Sequence, residues 1–223
     1  TMAIGVDVTM EEQLRAAEAK FIEIWSRGPT RTGWSELPPQ VGDPAPDFRL
    51  LDSDGREVAL SEFWRERPAL VVFWRHFGCG CGLDRAARLR DEYDDYVSAG
   101  ASVVIVGQGE PERAASYAER YELPCPVLLD PDERVYAAFG LVEGRPSQLL
   151  FDAPEEFWSH SREIGIEFQR QRREQGRPLV NNPWLLPGEF VIGQDGIIRL
   201  AYRYQYCEDF PNPLVLTTAI RLA

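Results

Sequence analysis

The sequence predicts an α/β fold with a mixed β-sheet flanked by helices. Short apolar segments alternate with helix-forming segments over the middle of the chain, which is typical of parallel strands covered on both faces. Two later apolar segments are separated only by a turn sequence, which indicates an antiparallel hairpin added to the same sheet. One helical pattern precedes this core and another lies ahead of the hairpin, which predicts an N-terminal helical extension and a helical insertion.

The composition indicates one domain with extensions and argues against several kinds of partner. The 223 residues, 44% hydrophobic and 27% charged, can bury a full core. The net charge of −12 argues against a nucleic acid or an anionic membrane as partner, since both bind basic surfaces. No membrane-length apolar segment and no export signal is visible, so we expect a cytoplasmic protein with reduced thiols. Arginine supplies nearly all of the basic charge, as in GC-rich bacterial genomes.

The first helix is predicted from its capping box. Thr9 and Glu12 have the spacing of that motif, and Gly28 followed by proline ends the pattern. The apolar stripe of this helix either packs on the main domain or forms a homodimer contact. We expect residues 1–41 to form the helical extension and residues 42–223 to form the main domain.

The remaining elements follow from local patterns. A proline-rich entry at 42–48 precedes a hairpin with an Asp-Gly turn, and a short helix follows it. The later elements follow in chain order: strand 69–74, helix 83–98, strand 102–106, helix 111–121, strand 125–129, helix 132–139, a helix at about 154–175 within the insertion 144–187, strands 189–192 and 197–204, and helix 211–222.

Two cysteines between glycines follow the first long strand and precede a helix. A thiolate is the nucleophilic form of cysteine, and a helix N-terminus favours an anion there. Arg75 ends the strand, and Arg85 and Arg88 lie early in the helix, so guanidinium groups surround Cys79 and Cys81. This arrangement predicts at least one thiol of lowered pKa that attacks a peroxide or a disulfide. The alternative is a buried structural pair of cysteines.

Four cysteines leave several partners open for an oxidised Cys79. Cys81 is close enough in sequence to close a small disulfide, and Cys125 and Cys207 are further candidates for resolving a sulfenic acid. Cys125 stands at the start of a strand and is expected in the core. Cys207 follows a strand and is expected in a surface loop.

Three polar residues are further candidates for the site. His76 could be a general base or, with the two cysteines, a ligand of a soft metal; a histidine that only forms a hydrogen bond is the alternative. Glu189 opens the late hairpin and could pass a proton to a leaving group if the hairpin lies beside the central strand. Arg203 on the facing strand could stabilise negative charge. We predict no cofactor and no bound metal.

Five segments resemble a known family. GDPAPDF at 42–48 is similar to the entry of thioredoxin-fold peroxiredoxins of the alkyl hydroperoxide reductase/thiol-specific antioxidant type. VVFWRHFGC at 71–79 is more similar to the peroxiredoxin-like 2 branch. Three shorter segments stand where that branch has similar ones: VIVGQ at 104–108, DPDERVY at 130–136 and GEFVIG at 188–193.

The resemblance implies a thioredoxin-like fold and an antioxidant oxidoreductase. It puts Cys79 in the position of the reactive cysteine, with Cys81 or an external thiol resolving it. The implied partners are a peroxide or disulfide substrate and a thioredoxin-like or low-molecular-weight thiol reductant. Val72 and His76 stand where the main peroxiredoxins have proline and threonine, and Gly82 stands where the branch has its second cysteine.

Three other functions stay open at this point. The same fold could serve a specialised reductase or biosynthetic enzyme for an organic substrate, with the insertion as a lid. The chain could instead be a redox-inert binding module, or a carrier of a soft metal.

Overall fold

The computed structural model describes residues 9–149, 158–177 and 182–223. Within these residues the elements alternate as the sequence predicts. The helices are α1 (Met10–Arg27), α2 (Gly80–Ser98), α3 (Pro111–Arg120), α4 (Arg134–Ala138), α5 (Pro146–Leu149), α6 (Arg162–Glu174) and α7 (Pro213–Arg221), with a 3-10 helix at Leu60–Phe63. The strands are β1 (Arg49–Asp52), β2 (Glu57–Ala59), β3 (Ala69–Phe73), β4 (Ser102–Gly107), β5 (Val127–Leu129), β6 (Gly188–Ile192) and β7 (Ile198–Arg203).

The described strands form one mixed sheet of seven strands in the order β2-β1-β5-β4-β3-β6-β7. Strand β4 runs parallel to β3 and β5, whereas β6 is antiparallel to β3 and to β7. In this register Val72 pairs with Glu189 and Phe73 with Gly188, so the start of the late hairpin lies beside the carboxyl end of β3. The mixed sheet and the antiparallel hairpin agree with the sequence prediction, and the condition set for Glu189, a hairpin beside the central strand, is met.

Apolar side chains cover both faces of the sheet. All five residues of β3 are buried, as a strand with helices on both sides requires. One face packs against α2, α3 and α7 through residues such as Leu89, Tyr117 and Leu216. The other packs against the 3-10 helix and α4 through Leu60 and Tyr136. This double cover makes β3 a rigid support for the loop that follows it.

Helix α1 packs against the insertion helix α6 of the same chain. Its predicted capping box is present, with the Glu12 amide donating to the Thr9 hydroxyl over 3.2 Å. The Trp25 ring stacks on Phe168 at 5.4 Å and on Trp184 at 4.8 Å between centroids. A side chain at Gly165 would collide with Trp25, since its Cβ would lie 2.5 Å from Cδ1. Packing on the main domain, the first alternative for the α1 stripe, is therefore confirmed.

Several boundaries differ from the prediction. Helix α2 begins at Gly80, within the cysteine turn, because Gly80, Cys81 and Gly82 are already helical after the extended N-cap residue Cys79. The short helix α5 was not predicted, because four residues are too few for a periodic pattern. The expected insertion helix begins at Arg162; its predicted residues 154–157 lie outside the described ranges.

No helix in the described ranges has both the length and the apolar composition to cross a membrane.

Candidate active site

The two central cysteines lie where β3 leads into α2. Cys79 is the N-cap residue of α2, with extended backbone angles, and Cys81 lies in the first helical turn. A disulfide joins them, with a distance of 5.3 Å between their Cα atoms. The cysteines are only 4% and 6% exposed. The site therefore holds a buried disulfide at a helix N-terminus.

Arg75 is the charged group in direct contact with this disulfide. Its Nη1 donates a hydrogen bond of 2.9 Å to Cys79 Sγ, and its Nη2 donates to the carbonyl of Pro183. Burial lowers the pKa of Arg75 to about 10, so the guanidinium still carries its charge at neutral pH. When Cys79 is reduced, this charge favours its thiolate over its thiol. The structure thus brings together Arg75, Cys79 and Cys81.

His76 is buried and neutral. The Gly78 amide donates to His76 Nδ1 over 3.1 Å, which occupies one nitrogen of the ring. Burial, together with the charges of Arg75, Arg172 and Arg177, holds the pKa of His76 well below its usual range. The ring therefore supports the turn that carries Cys79, in the hydrogen-bonding role that the sequence left open as an alternative.

Glu189 lies close to the site but is held by a different partner. Both of its oxygens accept from Arg85, over 2.7 and 3.1 Å, and the Tyr204 hydroxyl donates to it over 2.6 Å. Arg85 also donates to Glu92 over 3.0 Å. Burial opposes the charge on Arg85, but the Glu189 carboxylate outweighs it and raises the pKa of Arg85 well above its usual value. This buried network links α2 to β6 and so stabilises the helix that begins at the cysteines.

Arg203 lies apart from the thiol contacts. It donates to the carbonyls of Phe139 and Pro39, over 2.8 and 2.6 Å, and its guanidinium lies 5.5 Å from the Trp34 ring centroid. These contacts hold the segment after α1 against the end of α4. A role for Arg203 in stabilising charge at the thiols stays a prediction.

Cys207 is buried, so its expected place in a surface loop was wrong. It is 6% exposed and belongs to the same buried apolar cluster as Cys79 and Cys81. Its amide donates to the carbonyl of Gln148 over 3.0 Å, which ties the segment after β7 to α5. The sequence missed this because α5 lies 58 residues away in the chain. Cys81 and Cys207 line a cavity of about 20 Å³, room for one water-sized molecule.

Cys125 lies in the core, as predicted. It is 8% exposed and packs in the apolar cluster on the α2 side of the sheet. Burial raises the pKa of its thiol to about 12, so it stays protonated and unreactive. Cys125 therefore differs from Cys79 and Cys81, which form the disulfide.

Two arginines near the site were missed by sequence reasoning. Arg177 lies after α6, and its Nη1 reaches the carbonyl of Gly78 over 3.4 Å. Arg172, on α6, places its guanidinium 4.6 Å from the Phe168 ring centroid. No sequence signal separates them from the other arginines of this charged segment, because it is the packing of α6 on α1 that brings this segment beside the cysteine turn.

The arrangement is suited to thiol redox chemistry. A rigid strand delivers Cys79 to a helix N-terminus, a buried guanidinium contacts its sulfur, and a second cysteine can form a disulfide with it. Within the described ranges, no three His, Cys, Asp or Glu side chains are grouped as a metal site would need.

Comparison with solved structures identifies the fold. Peroxidoxin BcpB from Mycobacterium tuberculosis has a TM-score of 0.58 at 19% identity, covering 82% of this chain and 97% of that one. A peroxiredoxin-like protein from Aquifex aeolicus has a TM-score of 0.56 at 13% identity, covering 84% and 90%. This chain therefore has the thioredoxin-like fold of peroxiredoxins, as the resemblance implied.

Sequence comparison identifies the family. The model of the AhpC/TSA family matches residues 41–201, more than half of the chain, so the protein belongs to the AhpC/TSA family. Peroxiredoxin Bcp of Escherichia coli is 34% identical over 104 residues, which are 47% of this chain and 66% of that protein. The chloroplastic thioredoxin-like protein AAED1 of Arabidopsis thaliana is 33% identical over 104 residues, 47% of this chain and 42% of that protein. The chain thus spans less than two thirds of the length of these curated relatives.

Proposed function

We propose that the protein is a thiol-dependent peroxidase in which Cys79 is the nucleophile and Cys81 resolves it. The observation that carries the proposal is the hydrogen bond of 2.9 Å from Arg75 Nη1 to the sulfur of Cys79, which is itself joined to Cys81. A buried guanidinium at this distance lowers the pKa of a reduced Cys79 and favours its thiolate. Cys81 has no arginine within hydrogen-bond distance of its sulfur in the described residues, and this difference ranks the two thiols.

The proposed reaction has three steps. The Cys79 thiolate attacks one peroxide oxygen; the S–O bond forms as the O–O bond breaks, and the departing alkoxide takes a proton and leaves as an alcohol. The Cys81 thiol then attacks the sulfenic sulfur of Cys79; the S–S bond forms, and the hydroxyl of the sulfenic acid leaves with the Cys81 proton as water. Finally, two equivalents of a thiol reductant reduce the disulfide and are oxidised to their own disulfide.

The family and its named relatives support a peroxide as the oxidant and a thiol as the reductant. The matching family model is that of the AhpC/TSA family, and one relative is named a peroxiredoxin. The spacing of the cysteines supports Cys81 as the resolving residue, because a Cα separation of 5.3 Å lies within the usual range for a disulfide. Neither Glu189 nor His76 is required as a base, since Arg75 already favours the reactive form of Cys79.

Peroxide consumption coupled to a thiol reductant tests the proposal. We expect the wild type to reduce cumene hydroperoxide with a thioredoxin system or with 2-mercaptoethanol, and Cys79→Ser to lose this activity. Cys81→Ser should accumulate a sulfenic acid on Cys79 that dimedone traps and mass spectrometry locates. Cys125→Ser is the matched control and should keep the wild-type rate, because that thiol is protonated and distant. An unchanged rate in Cys79→Ser, or no peroxide turnover by the wild type, would refute the proposal.

A further inference from the structure

We propose that Arg75, Arg172 and Arg177 form a subsite that binds the carboxylate group of a small organic substrate beside Cys79. The ligand is either a hydroperoxide or a thiol reductant that carries a carboxylate. The inference rests on the proposed function, because that function defines which molecules could carry the carboxylate. The three arginines are the reason to expect a carboxylate.

Arg177 marks the outer edge of the subsite. Its Nη1 lies 3.4 Å from the carbonyl of Gly78 and 3.4 Å from the position that a Cβ would take at Gly80. The guanidinium therefore contacts Gly78 on one side of Cys79 and lies next to Gly80 on the other. Arg177 is only half-buried, so a group that arrives from solvent can reach it.

Arg75 and Arg172 form the inner part of the subsite. Arg75 is 8% exposed, and the buried Nε atoms of both Arg75 and Arg172 have no hydrogen-bond partner. A buried donor without a partner is costly, so these two N–H groups call for an acceptor. The packing of Arg172 on the Phe168 ring fixes the plane of its guanidinium.

The positive charge of this group is not balanced within the described residues. No carboxylate there forms an ion pair with Arg75, Arg172 or Arg177. Their neighbours on α6 differ: Arg170 is paired with Glu167 and Glu174. Burial, followed by the charges of Arg177 and Arg75, lowers the pKa of Arg172 to about 10. An anion beside Arg172 would offset the repulsion that these two charges exert on it.

A carboxylate fits this group better than other anions. A guanidinium presents parallel N–H donors that match the two oxygens of a carboxylate. The net charge of −12 repels polyanions, whereas a small monoanion can enter between half-buried side chains. The ligand is small because Cys79 and Cys81 are almost fully buried.

Calorimetric titration with benzoate tests binding without any turnover. Oxidised wild type should bind benzoate and should not bind benzamide, which has the same shape without the charge. Arg177→Gln should weaken benzoate binding about tenfold, as expected for the loss of a charge-assisted hydrogen bond. Arg170→Gln is the matched control: it removes the same charge from an exposed, ion-paired position on α6 and should leave binding unchanged. Equal binding of benzoate and benzamide, or an equal loss in both variants, would overturn the subsite.

Two kinetic arms identify which molecule carries the carboxylate. The first compares cumene hydroperoxide with its analogue bearing a para carboxylate; the second compares 2-mercaptoethanol with 3-mercaptopropionate. We expect the acid to have the lower KM in one arm, and Arg177→Gln to remove that preference while kcat changes little. If neither acid is preferred by the wild type, the subsite does not serve this reaction and the inference fails.

The design separates this inference from the proposed function. Absence of turnover with every peroxide, together with benzoate binding that depends on Arg177, would refute the peroxidase proposal alone. Turnover of the neutral pair without any benzoate binding would refute the subsite alone. Arg172→Gln serves as a second variant, and circular dichroism checks that each variant is folded.

Discussion

Replacement of Glu189 by glutamine should destabilise the protein strongly, because it breaks a buried ion pair on one side only. Glu189 is fully buried, and the Arg85 side chain that binds it is 7% exposed. The substitution keeps a side chain of the same size but removes the negative charge that Nε and Nη2 of Arg85 contact. Loss of one partner of a buried pair costs about 3–5 kcal/mol, since the other charge stays buried. The contact of Arg85 with Glu92 remains and places the loss towards the lower end of that range.

Urea unfolding followed by tryptophan fluorescence measures this loss. We expect a fall of about 3 kcal/mol in the free energy of unfolding, or roughly 6–12 °C in Tm for a chain of this length. The matched control is Glu57→Gln, which breaks an ion pair with Arg49 in which both side chains are 60% exposed. That change should cost less than about 1 kcal/mol. An equal and small effect in both variants would show that the Glu189 contacts do not support the fold as argued.

The same variant separates a structural role of Glu189 from a catalytic one. If Glu189 passes a proton to the leaving group, folded Glu189→Gln should lose peroxide turnover and the alkaline limb of its pH profile. We expect kcat at a temperature well below Tm to stay near that of the wild type, because both carboxylate oxygens are already held by Arg85.

Three further predictions concern reactivity, cover and pH. Arg75→Met should slow alkylation of reduced Cys79 by iodoacetamide at pH 7 about tenfold, because loss of the contacting charge raises the thiol pKa. Trp25→Ala should cost about 3–5 kcal/mol and speed reduction of the disulfide by dithiothreitol, because its ring belongs to the cluster that buries both sulfurs. Burial opposes the charge of Glu143, but the hydrogen bond from Arg27 and those from other donors outweigh it and lower the pKa of this carboxyl below 4.5. The charged Glu143 therefore contributes fully to the free energy of unfolding above pH 4.5, and this contribution is lost as the pH falls through the folded-state pKa. Glu143→Gln should therefore flatten the fall in stability that denaturant titrations record below pH 4.5.

Each of these predictions has a control and a contrary outcome. Arg90→Gln removes an arginine whose hydrogen bond goes to the Tyr121 carbonyl, away from the cysteines, and should leave alkylation of Cys79 unchanged. Trp34→Ala removes a half-exposed ring far from the sulfurs and should leave their reduction rate unchanged. Equal alkylation in Arg75→Met and wild type would remove the main support for Cys79 as the nucleophile. An unchanged acid limb in Glu143→Gln would show that its hydrogen bonds contribute nothing at low pH.

The elements that local sequence determines were predicted well. The strand before Cys79, the glycine turn and the helix after it are encoded within about 30 residues, so periodicity and turn composition suffice to place them. The capping box at Thr9 and the buried position of Cys125 were predicted for the same reason. The antiparallel pairing of β6 with β7 was also predicted, because a connection by a short turn permits only antiparallel strands.

The parts of the site that depend on distant packing were not predicted. Arg177 reaches the turn that carries Cys79, and Arg172 packs on Phe168, only because α6 packs on α1. Nothing in the sequence indicates which face of a charged helix turns inward. Cys207 is buried by α5, a helix too short to have a pattern. Glu189 was one candidate for proton transfer at the thiols, and Arg85 was assigned to the cysteines, whereas the structure pairs Arg85 with Glu189.

The cover over the disulfide lies partly outside the region that defines the family. Helix α1 precedes the residues matched by the family model, yet Phe21, Ile22 and Trp25 belong to the buried cluster that contains Cys79 and Cys81. The cavity beside Cys81 has room for about one water-sized molecule, so a larger molecule that reaches the sulfurs has to displace neighbouring side chains. The region matched by the family model supplies the cysteine turn, whereas side chains of α1 and α6 pack around it. We therefore expect the substrate preference of this protein to change more with substitutions in α1 and α6 than with substitutions on the sheet.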